Sequence, residues 1–395
     1  MVDSFIPQIR FKMCKNQWEK NKLSKLAKFN PKSTLPEKFK YVDLESVIGT
    51  DLISYREVSR ENAPSRAQRL AQKGDIFYQT VRPYQKNNYL FDSDEKGYVF
   101  STGYAQLRPL IDSAFLLARL QEESFVNKVL ERCTGTSYPA INSKDLSKIS
   151  VTVPQTIEEQ STIGSLFRTL DDLLASYKDN LANYQSLKAT MLSKMFPKAG
   201  QTIPEIRLDG FEGEWEIKRA DEIFKSVSEK NKASLPVLSA SQIDGMVLRD
   251  ELGIDIKYDE AALNNYKVVK PGQFVIHLRS FQGGFALSKL EGITSPAYTI
   301  IDFIDKKNNI PDFWNSILTS RDFIKRLETV TYGIRDGKSI SFKDFSSLKF
   351  VYPELEEQQA IGVYFSNLDQ LIISYQDKIT HLETLKKKLL QDMFI

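Results

Sequence analysis

Residues 155–196 read QTIEEQSTIGSLFRTLDDLLASYKDNLANYQSLKATMLSKMF, and residues 353–394 read PELEEQQAIGVYFSNLDQLIISYQDKITHLETLKKKLLQDMF. The two stretches align without a gap at an offset of 198 residues, and 17 of their 42 positions are identical. Among the identical positions are Glu159 and Gln160, which recur as Glu357 and Gln358. A match of this length does not arise by chance, so the chain contains an internal repeat.

The remainder of each half repeats more faintly. Residues 6–10 (Ile-Pro-Gln-Ile-Arg) match residues 203–207 (Ile-Pro-Glu-Ile-Arg), and Trp18 matches Trp215. The register fails between residues 20 and 70, where we expect the first half to carry extra material. The sequence therefore predicts two copies of one module in a single chain. Its parts are a first body at 1–154, a long helix at 155–198, a second body at 199–353 and a second long helix at 354–395.

Both matched stretches carry apolar residues in heptads, with a second apolar position three residues after the first. This spacing is typical of a coiled-coil seam, and further apolar residues beside it widen the face that each helix can bury. The residues that we assign to helix pairing or partner docking are Ile163, Leu170, Leu173, Tyr177, Leu187, Ile361, Leu368, Leu371, Tyr375 and Leu385. Thr156 and Glu159 have the spacing of a capping box at the start of the first helix.

A helix of about 36 residues is roughly 50 Å long and needs a partner along its apolar side. Equal copies that satisfy each other would lie about a pseudo-twofold axis, with antiparallel helices and a body at either end. The alternative is that each helix packs on its own body. We favour antiparallel pairing because such a helix outreaches a body of about 150 residues, whose diameter is roughly 30 Å.

Each body combines strand-like segments with helical spacing. Residues 75–81, 273–278 and 298–303 are rich in β-branched and aromatic residues and predict strands. The stretches 113–131 and 311–329 each predict one helix. The expected fold class is α+β, with two similar mixed α/β domains separated by two long antiparallel coiled-coil helices.

Polar loops follow these strands and helices at equivalent places in both halves. Their residue types are those that read base edges and hold phosphates, namely Arg, Asn, Gln, Ser, Thr, Lys and Tyr. The candidate DNA-binding residues are Arg82, Tyr84, Gln85, Lys86, Asn87, Thr136, Ser137, Arg279, Ser280, Gln282, Arg335 and Lys338. Surface loops in general share this composition, so the recurrence in both halves carries the prediction. Since the loops differ in sequence, we expect the two bodies to read different targets.

Charge and length narrow the class of protein. The chain has 395 residues, with 54 Lys and Arg against 51 Asp and Glu, so an anionic partner must meet a local patch. Residues 1–40 hold ten basic and three acidic residues. This basic lead-in is either a solvated, partly disordered segment or a phosphate-contacting surface. The polar start and the absence of a long apolar stretch predict a cytoplasmic protein.

The sequence contains no credible catalytic or metal site. Two cysteines and two histidines exclude a disulfide scaffold and a Cys/His zinc cluster. Walker and dinucleotide-binding glycine motifs are absent, and Asn30-Pro31 is not followed by the Pro-aromatic pair of amino-group methyltransferases. Cys133, His277 and His381 are expected to be packed or solvated side chains. We therefore predict a binding protein that is not an enzyme and holds no metal.

These features carry a family resemblance. Two variable bodies, each followed by a helix that begins with Pro, then Glu-Gln and then Ile (154–163 and 353–361), resemble the specificity subunit of type I restriction-modification systems. Residues 203–216 and 292–298 are similar to the target-recognition domains of that family. The first body departs from the pattern at residues 101–104, where Ser-Thr-Gly-Tyr stands in place of Ser-Pro-Ala-Tyr.

The resemblance implies a subunit that binds an asymmetric bipartite sequence in double-stranded DNA, with one body for each half. It also implies that the two helices set the unread gap and dock two methyltransferase subunits. Those subunits would supply S-adenosylmethionine and methylate adenine, and motor-nuclease subunits would join them. The alternative is a coiled-coil adaptor with two structural or peptide-binding domains and no role with nucleic acid. An unrecognised nuclease is a third, weaker alternative.

Overall fold

We describe the protein from a computed structural model. It describes residues 7–12, 14, 16–241, 244–252, 260–277, 284–330 and 341–394. The chain forms two compact units, and each unit contains part of both long helices. Unit 1 consists of residues 1–179 and 375–395, and unit 2 consists of residues 180–374.

The body of unit 1 contains twelve strands within the described residues. They are β1 Trp18–Lys22, β2 Ala27–Phe29, β3 Lys38–Val42, β4 Val47–Ile48, β5 Asp51–Leu52, β6 Arg56–Ser59, β7 Ala67–Leu70, β8 Asp75–Gln79, β9 Tyr89–Phe91, β10 Tyr98–Ser101, β11 Tyr104–Pro109 and β12 Ser150–Pro154. Its helices are α1 Leu23–Leu26, α2 Ser113–Gln121, α3 Glu123–Leu130 and α4 Ser143–Ser147. Single 3-10 turns lie at Leu44–Ser46, Arg60–Asn62 and Pro83–Gln85.

The body of unit 2 repeats this order. Its strands are β13 Glu216–Arg219, β14 Phe224–Val227, β15 Leu238–Ser241, β16 Gly245–Leu248, β17 Lys267–Val269, β18 Phe274–Ile276, β19 Phe285–Leu287, β20 Gly292–Thr294, β21 Thr299–Phe303 and β22 Lys349–Tyr352. Its helices are α6 Ala220–Ile223, α7 Pro311–Leu318, α8 Arg321–Val330 and α9 Phe342–Ser346, with 3-10 segments at Arg249–Leu252 and Glu260–Asn265. The long helices are α5 Ile157–Lys194 and α10 Leu355–Met393.

The sheets confirm the internal repeat. One four-stranded sheet has the order β2-β11-β8-β9 in unit 1, and the corresponding sheet of unit 2 has the order β14-β21-β18-β19. In each body the first strand pairs antiparallel with the last, as β1 with β12 and β13 with β22. The second sheet of unit 1 has the order β6-β3-β10-β7, and the pairs β15-β16 and β17-β20 repeat parts of it. The two bodies therefore share one topology.

The segment where the sequence register fails has a simple structural cause. Unit 1 carries a short hairpin, β4 and β5, between β3 and β6, whereas β15 leads almost directly into β16 in unit 2. Unit 2 instead has the longer connection, from Leu248 to Lys267, where unit 1 passes from Ser59 to Ala67. The first body therefore carries extra material, as the sequence predicted, and the second body carries a longer connection at a different place.

The prediction of one helix at each of 113–131 and 311–329 was wrong. Each stretch forms two helices, α2 with α3 and α7 with α8. In the first body Glu122 adopts an extended conformation, and its carboxylate accepts hydrogen bonds from the backbone N–H groups of Ser124 and Phe125. In the second body Ser320 Oγ accepts from the backbone N–H of Phe323. Helical spacing continues across both breaks, but the capping side chains end one helix and start another.

The long helices pair antiparallel within each unit. In unit 1, Asp171 forms an ion pair with Lys386, and Lys178 Nζ lies 2.9 Å from Glu383 Oε1. In unit 2, Lys188 forms an ion pair with Asp369. In unit 1, the residue number on the second helix falls from 386 to 383 as the residue number on the first helix rises from 171 to 178, as antiparallel packing requires.

The ends of the helices are exchanged between the two bodies. Met393 and Phe394, after the second helix, lie in the core of unit 1 with Trp18, Phe115 and Phe167. The residues 198 positions earlier, Met195 and Phe196, lie against the core of unit 2 with Trp215, Phe313 and Phe365. The beginning of each helix packs on its own body, since Ile163 and Ile361 belong to those same cores. Both alternatives predicted from the sequence therefore hold. The beginning of each long helix packs on its own body, and the rest of the helix pairs antiparallel with the other long helix.

The capping box predicted at the first helix forms only in part. The backbone N–H of Glu159 donates to Thr156 Oγ1 across 3.4 Å, which is a long contact. The Glu159 carboxylate points elsewhere, because it accepts hydrogen bonds from the side chains of Arg10 and Trp18. Among the described residues, no helical segment combines the length and the hydropathy that a membrane span requires.

Candidate nucleic-acid interface

The structure brings together the two loops of the first body that the sequence singled out. The first loop, residues 82–88, follows β8, and the second, residues 134–140, follows α3. The backbone N–H of Arg82 donates to Pro139 O at 2.8 Å, and that of Ile141 donates to Thr80 O at 3.0 Å. Thr134 and Ala140 exchange two backbone hydrogen bonds that close the second loop. The two loops therefore form one continuous surface.

Arg82 and Tyr138 form the centre of this surface. The guanidinium carbon of Arg82 lies 4.3 Å from the centre of the Tyr138 ring, which is within the range of a cation–π contact. The Tyr138 side chain is 63% exposed. An arginine held over an aromatic ring keeps its donors fixed in direction, and those donors suit guanine edges and phosphates.

The first loop has an unusual backbone. Arg82 and Lys86 both adopt left-handed conformations, with φ of 54° and 57°, on either side of the turn at Pro83–Gln85. Non-glycine residues rarely adopt this conformation, which costs free energy and persists only where the surroundings impose it. Strain of this kind is concentrated at ligand-binding sites in proteins.

A buried network of amide side chains imposes the loop conformation. Asn88 Oδ1 accepts from the backbone N–H of Gln79 at 2.8 Å, and Gln79 Nε2 donates to Gln85 Oε1 at 2.8 Å. Gln121 Nε2 donates to the backbone carbonyl of Lys86 at 3.1 Å. Asn88 lies in the loop that the sequence singled out but was not among the candidate residues. Gln79 and Gln121 were missed, although amides at the end of an apolar strand and of an apolar helix were a usable signal.

The other candidates of the first body lie in these loops with different exposures. Tyr84, Gln85, Thr136 and Ser137 are exposed. Asn87 is half-buried, and its Oδ1 accepts from the backbone N–H of Gly49 in the β4–β5 hairpin at 2.9 Å. Lys86 forms an ion pair with Glu123 at the start of α3. These contacts place the hairpin and the first turn of α3 beside the loops.

The candidates of the second body, Arg279, Ser280, Gln282, Arg335 and Lys338, lie outside the described residues. The base of their first loop is described at His277, whose backbone N–H donates to Gly284 O at 3.2 Å. His277 lies 198 residues after Gln79 and so occupies the position of the amide that anchors the loop in the first body. Its ring packs against Tyr298 with centroids 6.3 Å apart, and burial lowers the pKa of the imidazole.

The helix residues that we assigned to pairing or docking divide by exposure. Ile163, Leu170, Ile361 and Leu368 are buried, and Tyr177 and Tyr375 are half-buried with ring centroids 5.6 Å apart. Leu173 and Leu385 in unit 1, and Leu187 and Leu371 in unit 2, are instead between 37% and 41% exposed. Leu173 is equivalent to Leu371 in the repeat, and Leu187 is equivalent to Leu385, so each unit has one of these exposed leucines on each of its two long helices.

The residues considered for catalysis have ordinary surroundings. Burial raises the pKa of the Cys133 thiol, which disfavours the nucleophilic thiolate. His381 is exposed on the second helix. Among the described residues no group of three or more His, Cys, Asp or Glu could hold a metal ion.

Comparison with known proteins agrees with this architecture. The type I restriction modification DNA specificity domain matches residues 15–184 and again 212–384. The specificity subunit of the type I restriction enzyme MjaVIII of Methanocaldococcus jannaschii is 25% identical over 315 residues, which are 75% of this chain and 73% of that protein. The putative MjaX specificity subunit of the same organism is 22% identical over 290 residues, covering 70% of this chain and 65% of that protein.

A solved structure shows the same fold over almost the full length. The crystal structure of the type I restriction-modification system S subunit from M. genitalium superposes with a TM-score of 0.63 at 15% identity, and the match covers 98% of this chain and 99% of that one. Proteins of this family provide DNA specificity and are not catalytic. With both of its halves matched by the family model, the chain belongs to the type I restriction-modification DNA specificity family and is a specificity subunit with two DNA-recognition domains.

Proposed function

We propose that the chain reads an asymmetric bipartite sequence in double-stranded DNA, one half-site for each body. The observation that carries the proposal is the meeting of residues 82–88 and 134–140 around the Arg82–Tyr138 contact in the first body. Arginine, glutamine and asparagine side chains can distinguish base pairs in the major groove, and tyrosine, lysine, serine and threonine can hold phosphates. The different loop sequences of the two bodies make the two half-sites different.

We further propose that the long helices dock two methyltransferase subunits. The exposed leucine pairs, Leu173 with Leu385 and Leu187 with Leu371, are apolar surface that pairing of the two helices leaves in solvent. Their repetition in both units fits one partner for each unit. In this proposal the partner binds S-adenosylmethionine and methylates adenine, and motor-nuclease subunits join the complex.

An exchange of bodies tests the reading. Residues 1–154 are replaced by the first body of another family member, and methylated adenines are mapped in cells that express the chimaera with its methyltransferase. We expect one half of the methylated sequence to change and the other half to persist. If both halves changed, or if neither did, the assignment of one body to each half-site would be rejected.

A deletion tests whether the helices set the gap between the half-sites. Removing residues 176–182 and 374–380 takes one heptad from each helix but keeps the Asp171–Lys386 and Lys188–Asp369 pairs. We expect the same half-sites at an altered gap, since each heptad contributes about 10 Å of helix. The control removes the heptad from one helix only, which puts the two helices out of register. An unaltered gap in the double deletion would exclude the helices as the spacer.

A further inference from the structure

The strand, helix and strand that open the first body carry an excess of positive charge. Residues 18–29 contain four lysines and one glutamate. The aligned residues of the second copy, 215–226, contain three basic and three acidic residues, so they are neutral. This segment is therefore a place where equivalent elements of the two bodies differ sharply in charge.

The segment is built into the body rather than attached loosely to it. Lys20 lies opposite Thr152 and Lys22 opposite Ser150 in the antiparallel pair of β1 with β12. Leu23 and Leu26 of α1 are buried in the core of unit 1, which leaves Lys25 exposed on the outer side of that helix. Of the two alternatives for the basic lead-in, a partly disordered segment does not describe residues 18–29, which form β1, α1 and β2. Lys20, Lys22 and Lys25 are therefore exposed side chains on regular secondary structure that packs on the core.

Helix α1 connects this positive segment to the second candidate loop. It lies against α4, which directly follows the loop 134–140 that carries Tyr138. The backbone N–H of Leu23, the first residue of α1, donates to Ile149 O at 2.9 Å, between α4 and β12. Lys25 therefore lies on an element that contacts the segment next to the Arg82–Tyr138 surface.

Two of the three cations in the aligned segment of the second body are paired with carboxylates. Lys218 Nζ lies 3.0 Å from Glu216 Oε2, and Arg219 forms a two-point contact with Asp221. No carboxylate oxygen lies within 4.0 Å of the ammonium groups of Lys20, Lys22 or Lys25 in the described part of the chain. Clustered cations without carboxylate partners fit a polyanion.

We propose that Lys20, Lys22 and Lys25 form a phosphate-contacting surface through which the first body, and not the second, holds duplex DNA outside its half-site. This inference rests on the proposed reading of DNA and adds a one-sided, sequence-independent contact to it. Such contacts release condensed counterions, so they contribute to affinity in a manner that depends on salt and not on base sequence.

The test compares two triple variants of the full chain. Lys20→Ala, Lys22→Ala and Lys25→Ala remove exposed charges of the proposed surface. Lys225→Ala, Lys343→Ala and Lys349→Ala remove three exposed lysines from the second body and serve as the matched control. Binding to a labelled 40-base-pair duplex of random sequence is measured over a series of salt concentrations, which gives the slope of log affinity against log salt.

We expect the first variant to lower the magnitude of the salt slope by about 2 to 3, because each lost phosphate contact removes about 0.9, and the control to leave the slope unchanged. An unchanged slope in the first variant, or an equal loss in both variants, would overturn the inference. Loss of binding to an acidic partner subunit with an unchanged DNA slope would also overturn it. If the wild-type chain bound no duplex at any salt concentration, that result would reject the proposed function itself, and with it this inference.

Discussion

Arg10 and Glu159 lie 149 residues apart in the chain and form a two-point ion pair, with Nε–Oε1 and Nη2–Oε2 distances of 2.7 and 2.8 Å. Arg207 and Glu357 form the same pair in the second copy, at 2.8 and 2.7 Å. Both glutamates are buried. A buried carboxylate is tolerated when it is paired and hydrogen-bonded, so each pair ties the start of a body to the start of its long helix.

The neighbouring glutamine completes this attachment. Gln160 Oε1 accepts from the backbone N–H of Asp112 at 3.1 Å, and its Nε2 donates to Pro154 O at 2.8 Å. Gln358 makes the equivalent bonds to Ile310 and Pro353, at 3.1 and 2.9 Å. The repeated Glu-Gln pair thus fixes the direction in which each long helix leaves its body.

The two equivalent tryptophans differ in one hydrogen bond. Trp18 Nε1 donates to Glu159 Oε1 at 3.0 Å, whereas Trp215 Nε1 is buried and has no hydrogen-bond partner among the described residues. We expect Trp18→Phe to cost more free energy of unfolding than Trp215→Phe, by about 1.5–3 kcal/mol, because only the former loses a bond to a charged group. Hydrogen exchange read separately for each body provides the measurement. Equal costs would contradict the assignment.

Two equivalent glycines of the long helices should differ in their tolerance of a methyl group. A Cβ on Gly164 would lie 2.7 Å from the backbone nitrogen of Phe115, and one on Gly362 would lie 3.0 Å from that of Phe313. We expect Gly164→Ala to destabilise unit 1 by about 1–3 kcal/mol and Gly362→Ala to cost unit 2 less, since backbone atoms cannot easily move aside. Urea denaturation measures both effects. Ser165→Ala, at an exposed neighbour, is the control and should change little.

The Arg82–Tyr138 contact should matter for binding rather than for folding. We expect Arg82→Ala to weaken binding to the cognate duplex by about 1–3 kcal/mol if the guanidinium reads a base. Tyr138→Ala should weaken it as well, whereas Tyr138→Phe retains the ring over which Arg82 lies and should preserve most of the affinity. Titrations with cognate and mismatched duplexes distinguish base reading from phosphate contact. Full affinity in Tyr138→Ala would remove the ring from the interface.

The exposed leucines of unit 1 should be needed by a partner and not by the fold. We expect Leu173→Ala combined with Leu385→Ala to reduce association with the methyltransferase subunit at least tenfold while changing the free energy of unfolding by less than about 1 kcal/mol. Leu170→Ala is the opposite control, because Leu170 is buried and its loss should cost about 2–5 kcal/mol. Analytical ultracentrifugation measures the association. Unchanged association in the double variant would place the docking surface elsewhere.

His277 should make the second body sensitive to acid. Its pKa is lowered by burial from the ordinary value of 6.5, so the folded state binds fewer protons than the unfolded state in this range. The contribution of the neutral ring to stability is therefore complete above about pH 6.5 and is lost as the pH falls from there toward the folded-state pKa. We expect His277→Gln, which introduces the residue found at position 79, to flatten the dependence of unfolding midpoint on pH between 7.5 and 5.5. An equally steep dependence in that variant would assign the acid sensitivity to other groups.

Sequence patterns predicted much of the fold, because an internal repeat and a heptad spacing can be recognised in the amino-acid sequence without knowledge of tertiary contacts. Seventeen identities in 42 positions required two copies of one topology, and a repeat of 3.5 residues required long helices with a buried stripe. The position of the candidate loops after a strand and after a helix could also be read directly. The breaks between two helices at Glu122 and at Ser320 could not be predicted, because the helical spacing of apolar residues continues across them. Side-chain caps interrupt a helix without interrupting its apolar period.

Tertiary structure alone decided which distant groups meet. The same heptads allow a helix to pack on its own body or against its copy, and only the fold assigns Phe394 to the core of unit 1 and Phe196 to that of unit 2. The capping-box spacing at Glu159 likewise did not reveal that its carboxylate binds Arg10 and Trp18. Sequence periodicity determines which residues are buried, but the partner of each buried group depends on the packing of segments more than a hundred residues apart.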